Sequence, residues 1–528
     1  DLTTASTDQL TITVASTSAT AAQLKTVGDA TGLNVTATAV TALLNSSVAE
    51  VVALLTDEGS TGDKVNLDGD FTVAINDTGT VAASDLNTIN AATTGLVTAT
   101  GVASLTGTAT ELNTLVSNEG DSGDKVNLDG DFTVTVSNGT TTASQLNTIN
   151  SKTTSLVTAT AVATVSGSVS DLVTLVGNEG TSGDKVDLKA DVAITVTDTG
   201  SVAATDIATI NGLTTGLVTA TNIGTVTGTS SALNTLAGNE GTSGDKVNLK
   251  TDVLVTVSDG TTTAAELNTI NGMTTALVTA TAVSTVSGAV SDLTTLAGVE
   301  GDSGNAVDLA AGVAITVTDT GAVDSADLNT INTATTGLIT ATDVATINGT
   351  ASAITTLIGN EGTSGDKVAL DTDFAMTVSS GTATVDQANT MAAFSTSGAI
   401  TATISNTDIA DLDDLTTAST DQLTITVAST SATAAQLTTV AGATGLNVTA
   451  TAVETVTGTA TQMDALLAVE GSTGDKVNLD ADYAITINSG TATVTQANAY
   501  ATAAGVVTAT ISDTNIATLD DLTTASTD

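Results

Sequence analysis

The stretch "SLVTATAVATVSGSVSDLVTLVGNEGTSGDKVDLKADVAITVTDTGSVAATDIATING", Ser155–Gly212, states one plan twice. Its first half, Ser155–Asn178, passes from a short extended piece through a small-residue corner into a second extended piece. A Gly-containing turn follows, then the segment D-L-x-T-L. The second half, Lys185–Gly212, repeats the plan and closes on D-I-x-T-I. Between the halves lies "NEGTSGDKV", Asn178–Val186, with relatives beginning at Asp57, Asn118, Asn239, Val299, Asn360 and Val469. From Glu58 through Glu119, Glu179, Glu240 and Glu300 to Glu361 the steps are 61, 60, 61, 60 and 61 residues. Loop drift does not keep such a count, whereas a structural register does.

Two local signals sit inside each unit. Val192, Ile194 and Val196 alternate with Ala193, Thr195 and Thr197, and Phe132, Val134 and Val136 repeat the pattern one unit earlier. Strict period-2 alternation is the mark of a half-buried strand. In "TAAELNTING", Thr263–Gly272, Leu267 and Ile270 instead lie three apart. Thr263 and Glu266 have the spacing of a capping box, and Asn271–Gly272 form a stop signal. Thr108–Glu111, Thr142–Gln145 and Ser168–Asp171 repeat that start signal. The expected fold is a mainly β repeat: a parallel β-solenoid with short helices or helical corners, and two coils per unit of about 60 residues. No half-unit can bury its own apolar face, so stacking supplies the core. Tandem β-sandwiches are the competing architecture, but sixty residues is short for a sandwich and the two similar halves favour coils.

Composition narrows the function. The chain carries 57 acidic residues against 10 basic ones in 528, a formal net charge of −47, and every basic residue is lysine. Phosphate binding needs clustered Lys or Arg, so nucleic acid is excluded as a partner, and an anionic membrane surface repels the chain. There is no Cys, His, Pro or Trp. That removes the usual zinc sites, Cys–His nucleophiles and the Ser–His–Asp triad. It also leaves cysteine usage silent about redox compartment. No apolar run approaches twenty residues and no signal segment opens the chain, so no membrane span is expected.

The acidic corner is the sharpest chemical feature. "NEGDSGDKVNLDGDF" presents Glu119, Asp121, Asp124, Asp129 and Asp131 within thirteen residues, on a turn loosened by glycine. Hard cations such as Ca²⁺ take several oxygen ligands in that kind of setting, so these five are the candidate metal ligands. The alternative is a solvated corner in which Gly supplies positive φ, Asp makes turn hydrogen bonds and Lys125 partly neutralises the carboxylates. A lysine follows the equivalent Asp in six of seven copies, which opposes a cation site. No cofactor other than Ca²⁺ is in view. Near-identical carboxylate clusters on a regular repeat read as architecture rather than as repeated active sites, with no nucleophile–base pair and no concave pocket expected, so the chain reads as no enzyme. Sequons at Asn34, Asn138 and Asn348 occur in a chain rich enough in Thr to produce them by chance.

Stretches such as "AELNTINGMTTALVTATAVSTVSG", Ala265–Gly288, resemble the Thr/Ala/Val-rich arrays of giant secreted surface proteins of marine cyanobacteria. The resemblance covers nearly the whole chain. It implies an extracellular or cell-surface location, and some members are connected with motility or surface layers. The G-G-x-G-x-D nonapeptide of calcium-binding secreted repeats is missing here. Two roles from different classes are therefore expected. One is a structural fibre, sheath or surface-layer element whose partners are further copies or the continuation of the same chain. The other is an adhesin stalk or calcium-dependent surface-binding module.

The whole chain reads as one continuous array: entry rungs over 1–56, five units of about 60 residues over 57–378, a variant junction over 379–421, and over 422–528 a partial repetition of the N-terminal rungs. The octapeptide "DLTTASTD" occurs at Asp1–Asp8, Asp414–Asp421 and Asp521–Asp528, where it replaces the acidic corner between a helical segment and the strand "LTITV". The chain therefore reads as a cut through a longer periodic sequence.

Overall fold

In the computed structural model, residues 4–137 and 139–523 are described. The first and last octapeptides fall partly outside them, and the sequon at Asn138 wholly so. Two compact units form, one from Asp1–Val257 with Ile270–Val278 and the other from Ser258–Thr269 with Thr279–Asp528.

Within the first unit the quoted stretch folds as its pattern implies. Strands Val157–Ala159 and Val162–Gly167 lead into helix Val169–Asn178, and strands Val186–Leu188, Ala193–Val196 and Ser201–Ala203 lead into helix Ala204–Asn211. Strand Val162–Gly167 pairs in parallel with Ala193–Val196, which pairs in parallel with Val218–Ala220, which then neighbours Val247–Leu249. Each pairing brackets one helix. Parallel strands need a crossover long enough to return the chain to the same end, and a short helix supplies it. The register places Val165 against Ile194, Ile194 against Val218 and Val218 against Val247, all fully buried. On the opposite face Ser166, Thr195, Thr219 and Asn248 form the matching polar row. Burying a Val or Ile is worth about 1.5–3 kcal/mol, so the row is a continuous source of stability. A one-residue slip would turn it to solvent.

The sheet is finite. Gly139–Thr142, Val162–Gly167, Ala193–Val196, Val218–Ala220 and Val247–Leu249 make one five-stranded sheet, and Thr80–Ala82 through Val186–Leu188 make the preceding one. In the second unit Thr261–Thr263, Thr285–Gly288, Ala314–Val317, Ile339–Ala341 and Val368–Leu370 repeat the arrangement. The fold is thus an α/β repeat of parallel sheets and helices. Among the described residues, apart from two four-residue helices, the helices are full elements of eight to ten residues rather than corners.

Their start signals act as read. Thr108 and Thr142 each accept from the N3 backbone while Glu111 and Gln145 reach back to the cap. Glu266 and Thr263 exchange the same two bonds at 3.2 Å, and Ser168 accepts from the Asp171 amide. The stop signal works differently. Gly212 is a C-cap with φ −65° in the right-handed region, and Ser151 fills the same place at φ −65°. Glycine freedom is not what ends these helices.

The variant junction keeps the scheme in shorter form. Helix Ile409–Leu412 is followed by the octapeptide Asp414–Asp421 and then by strand Gln422–Thr424, which pairs in parallel with Ile400–Thr403. Asp421 is buried, accepting from the Ile400 amide at 2.8 Å and the Ala418 amide at 2.9 Å. Among the described residues, no helix is long and apolar enough to cross a membrane.

Candidate functional site

The acidic corners are built by two glycines and a lysine. In Asn118–Val126 the Gly120 amide donates to Val126 O at 3.1 Å and the Val126 amide to Asn118 O at 3.0 Å, closing the loop on itself. Gly123 takes φ +68°, and its counterparts Gly62, Gly183, Gly244, Gly304, Gly365 and Gly474 lie between +68° and +75°. Left-handed backbone at a tight turn is where glycine avoids the Cβ penalty. Gly120 answers a different need. A Cβ there would stand 3.0 Å from Cγ of Lys125, so the missing side chain makes room for the lysine stem. Where the lysine becomes Ala306, the same space opens to 3.5 Å.

The lysine ammonium has a structural destination. Nζ of Lys185 donates to Gly177 O at 2.8 Å, and Lys64, Lys246 and Lys476 reach the equivalent carbonyls at 2.9, 3.0 and 2.6 Å. Each carbonyl lies in the last turn of the preceding helix, where a cation opposes the negative end of the dipole. No ion pair of Lys125 is found among the described residues, and Glu119 is paired instead with Lys152 at 3.6 Å, whereas in the first copy Lys64 reaches Asp57 of its own corner at 4.0 Å. Lys152 follows the helix one half-unit on, so the neutralising charge arrives across the stack.

The five candidate ligands separate. Glu119 is half-buried and turns to Lys152. Asp124 Oδ1 accepts from Asn90 Nδ2 at 3.5 Å, and the bond recurs as Asn150 to Asp184 at 3.2 Å and Asn211 to Asp245 at 3.4 Å. Asp129 Oδ1 accepts from the Gly130 amide at 2.8 Å. Asp121 and Asp131 are exposed, and the backbone carbonyl of Asp131 accepts from Ser155 Oγ at 2.6 Å. Among the described residues no three acidic side chains come together in a metal-holding group.

A polar cavity of about 500 Å³ does adjoin this corner, where no concavity was expected. Asn87, Asn90, Thr114, Asn118 and Asp124 line it. Asn87 and Asn90 come from helix Ala83–Ala91, one half-unit before the helix that leads into the corner, and Asn87 Nδ2 donates to Glu111 O at 2.9 Å. The Oδ1 atoms of both asparagines are buried without a hydrogen-bond partner. In the last copy the corner changes character. Tyr483 stands where Phe132 stands earlier and donates its hydroxyl to Glu470 at 3.3 Å. Burial raises the Glu470 carboxyl above its ordinary range, opposed by that hydrogen bond. Burial, then the Glu470 charge, pushes the Tyr483 phenol well up.

The largest set of functional side chains missed by the sequence reading is a row of buried threonines. Thr214 donates to Val192 O at 2.6 Å and accepts from the Gly216 amide at 2.8 Å. Thr274 and Thr335 repeat this with Val253 and Val313, both at 2.6 Å, and Thr93 and Thr153 with Phe71 and Phe132. Each hydroxyl ends one helix and staples it to the rung before. The available signal was the Thr-Thr pair recurring at Thr93, Thr153, Thr214, Thr274 and Thr335 while the residues just before it vary.

The chain is therefore, by its described fold, an α/β repeat protein in which a recurring set of Thr, Asn and Asp side chains joins neighbouring rungs. No family model matches it, and no curated protein is significantly similar to it.

Proposed function

We propose that the chain is a structural repeat protein of the cell exterior, whose half-units stack as coils of a parallel solenoid and whose stacked array is itself the working part, as a fibre, sheath or surface-layer element. The observation that carries this reading is the register Val165–Ile194–Val218–Val247, one helix per step, repeated in kind along the chain. A nearest-neighbour architecture of this sort extends by adding rungs, because each rung supplies the apolar row and the strand edge that the next one needs. The chemistry-bearing residues support the same reading. Corner lysines cap helices, corner aspartates accept from asparagines of earlier helices, and threonines staple rungs. The charge of −47 favours solubility, and close assembly of copies calls for salt to screen their mutual repulsion.

Electron microscopy of the native material is the test. Ordered filaments, sheets or a lattice with a repeat set by the rungs are expected. Isolated molecules, each carrying a distinct non-repeat domain, would overturn the polymer and favour the adhesin stalk.

A further inference from the structure

Asp68 and Asp129 stand at the same corner of successive units, each followed by a glycine. That corner is the seat of the rung that follows. Gly69 O accepts from the Thr94 amide at 2.9 Å, and Gly130 O from the Thr154 amide at 2.8 Å. Later copies keep the seat with other residues. Ala190 O accepts from the Thr215 amide and Thr251 O from the Thr275 amide, both at 2.8 Å, with Lys189 and Lys250 in the aspartate's place. The bond between rungs therefore needs neither the aspartate nor the glycine.

What the Asp–Gly pair adds is a side chain folded over its own next amide. The Gly69 amide donates to Asp68 Oδ1 at 2.9 Å and the Gly130 amide to Asp129 Oδ1 at 2.8 Å. The carboxyl carbon lies one bond behind that oxygen, so nitrogen and carbon are held together as an intramolecular reaction requires. Both residues of each pair are exposed, and a Cβ built on either glycine meets nothing within 4 Å. Glycine also leaves the backbone free to turn into the ring that such a reaction closes.

We propose that Asp68 and Asp129 are modification sites at which isoaspartate forms without an enzyme. The Gly130 nitrogen bonds to Cγ of Asp129, and the hydroxyl of the carboxyl group, in its acid form, leaves with the amide proton as water. A cyclic imide results. Water then adds to the main-chain carbonyl carbon of Asp129, the bond from that carbon to nitrogen breaks, and the main chain runs on through Cγ. The water lost in the first step returns in the second, so composition is unchanged and no oxidant or other reactant is consumed. The product inserts one carbon into the main chain ahead of the carbonyl that seats Thr154, and the seat loosens. Asp68 does the same beneath Thr94. This goes beyond the structural role and does not depend on it.

The fold withholds the same chemistry elsewhere. Asn211–Gly212 and Asn271–Gly272 carry the equivalent pair with an amide side chain. The Gly212 amide is committed to Ala208 O at 3.0 Å, and Asn211 Nδ2 to Asp245 Oδ1 at 3.4 Å. Asn271 and Gly272 lie within helix Ala264–Gly272. A helical backbone directs each amide along the axis, away from the side chain before it. Asp371 and Asp480 keep the hydrogen bond, from the Thr372 and Ala481 amides at 2.7 Å each, but the following residue carries a Cβ that restricts ring closure.

Ageing of the 528-residue chain tests this, folded in neutral buffer at physiological temperature and, in parallel, unfolded in concentrated guanidinium chloride. Peptide mapping with electron-transfer fragmentation separates isoaspartate from aspartate at each position. In the folded chain isoaspartate accumulates at Asp68 and Asp129 at least as fast as in the unfolded one, while Asn211 and Asn271 convert far more slowly folded than unfolded. Asp371 and Asp480 stay aspartate. Gly130→Ala, a change the fold accepts because Ala190 and Ala481 fill that place, abolishes the product at Asp129 and leaves it at Asp68. Hydrogen exchange at the Thr154 amide rises on ageing in wild type and not in Gly130→Ala. Conversion at Asp68 and Asp129 that is slower folded than unfolded overturns the proposal. So does conversion at Asp371 and Asp480 that keeps pace with Asp129. Unchanged exchange at Thr154 in fully converted chain overturns the loosening of the seat.

Discussion

The hydroxyl of Thr214 donates to the carbonyl of Val192, 22 residues earlier, and accepts from the amide of Gly216, two residues later. One side chain thereby joins the end of a helix to the rung before it and fixes the turn into the next strand. Thr214→Val keeps the volume and strands both backbone groups, at a cost of about 1–3 kcal/mol for each buried group left unpaired. A long repeat array does not unfold in one step, so the readout is local. Hydrogen exchange at the Gly216 amide accelerates by tenfold or more, by about 1.4 kcal/mol per decade. Thr214→Ser changes it far less, as Ser395 makes the equivalent bonds to Phe374 O and from Gly398 in the variant junction. Equal exchange in Val and Ser variants would remove the staple's role.

What was legible, and what was not, divides along sequence distance. The burial of Val192, Ile194 and Val196 and the caps at Thr108 and Thr142 depend on residues within a few positions, and alternation or spacing reveals them. The partners of Asp124, Lys152 and Thr214 lie 34, 33 and 22 residues away, at distances set by how a coil closes. Thirteen residues of acidic sequence looked like one site because they are close along the chain. Contacts across the repeat send Glu119 to Lys152 and Asp124 to Asn90, while Asp129 turns to the amide of its own neighbour Gly130. The repeat period was plain, but the register that turns it into contacts was not.

Gly123 and Gly130 flank the same strand and respond oppositely to a methyl group. Gly123 sits at φ +68°, so Gly123→Ala costs about 1–2 kcal/mol through backbone strain alone. Gly130 has ordinary φ and open space around its Cβ direction, and Ala190 and Ala481 occupy its place in other copies. Gly130→Ala is therefore neutral within about 0.5 kcal/mol. Hydrogen exchange at the Gly120 and Val126 amides, which close this corner, compares the two. Equal losses would mean that the turn does not depend on left-handed backbone.

Glu119, Asp124 and Asp129 are each engaged by a protein donor of their own and do not converge with Asp121 and Asp131, so chelation leaves the fold intact. Millimolar EDTA produces no change in the melting curve, and added Ca²⁺ acts no differently from an equal ionic strength of Mg²⁺, by screening the charge of −47. A melting temperature that falls by several degrees with EDTA and returns specifically with Ca²⁺ would instead assign Glu119, Asp121, Asp124, Asp129 and Asp131, or their counterparts, to a cation.

Glu470 offers a test of electrostatics that its neighbours do not obscure, because Tyr483 and Tyr500 are the only tyrosines and the chain has no tryptophan. Intrinsic fluorescence therefore reports the last rungs. Burial raises the Glu470 carboxyl, so between its ordinary range and its folded pKa the folded state binds more protons than the unfolded state. Stability falls as pH rises through that window, and the deficit is complete above it. Glu470→Gln retains an acceptor for the Tyr483 hydroxyl and removes the charge. At neutral pH its fluorescence-detected urea midpoint lies above that of wild type. The gap closes as pH falls below the ordinary glutamate range, where wild type carries a neutral acid as well. General self-repulsion among the other carboxylates shifts both proteins alike and cancels in the difference. A variant midpoint below wild type at neutral pH would show that the charged hydrogen bond from Tyr483 outweighs the burial of Glu470.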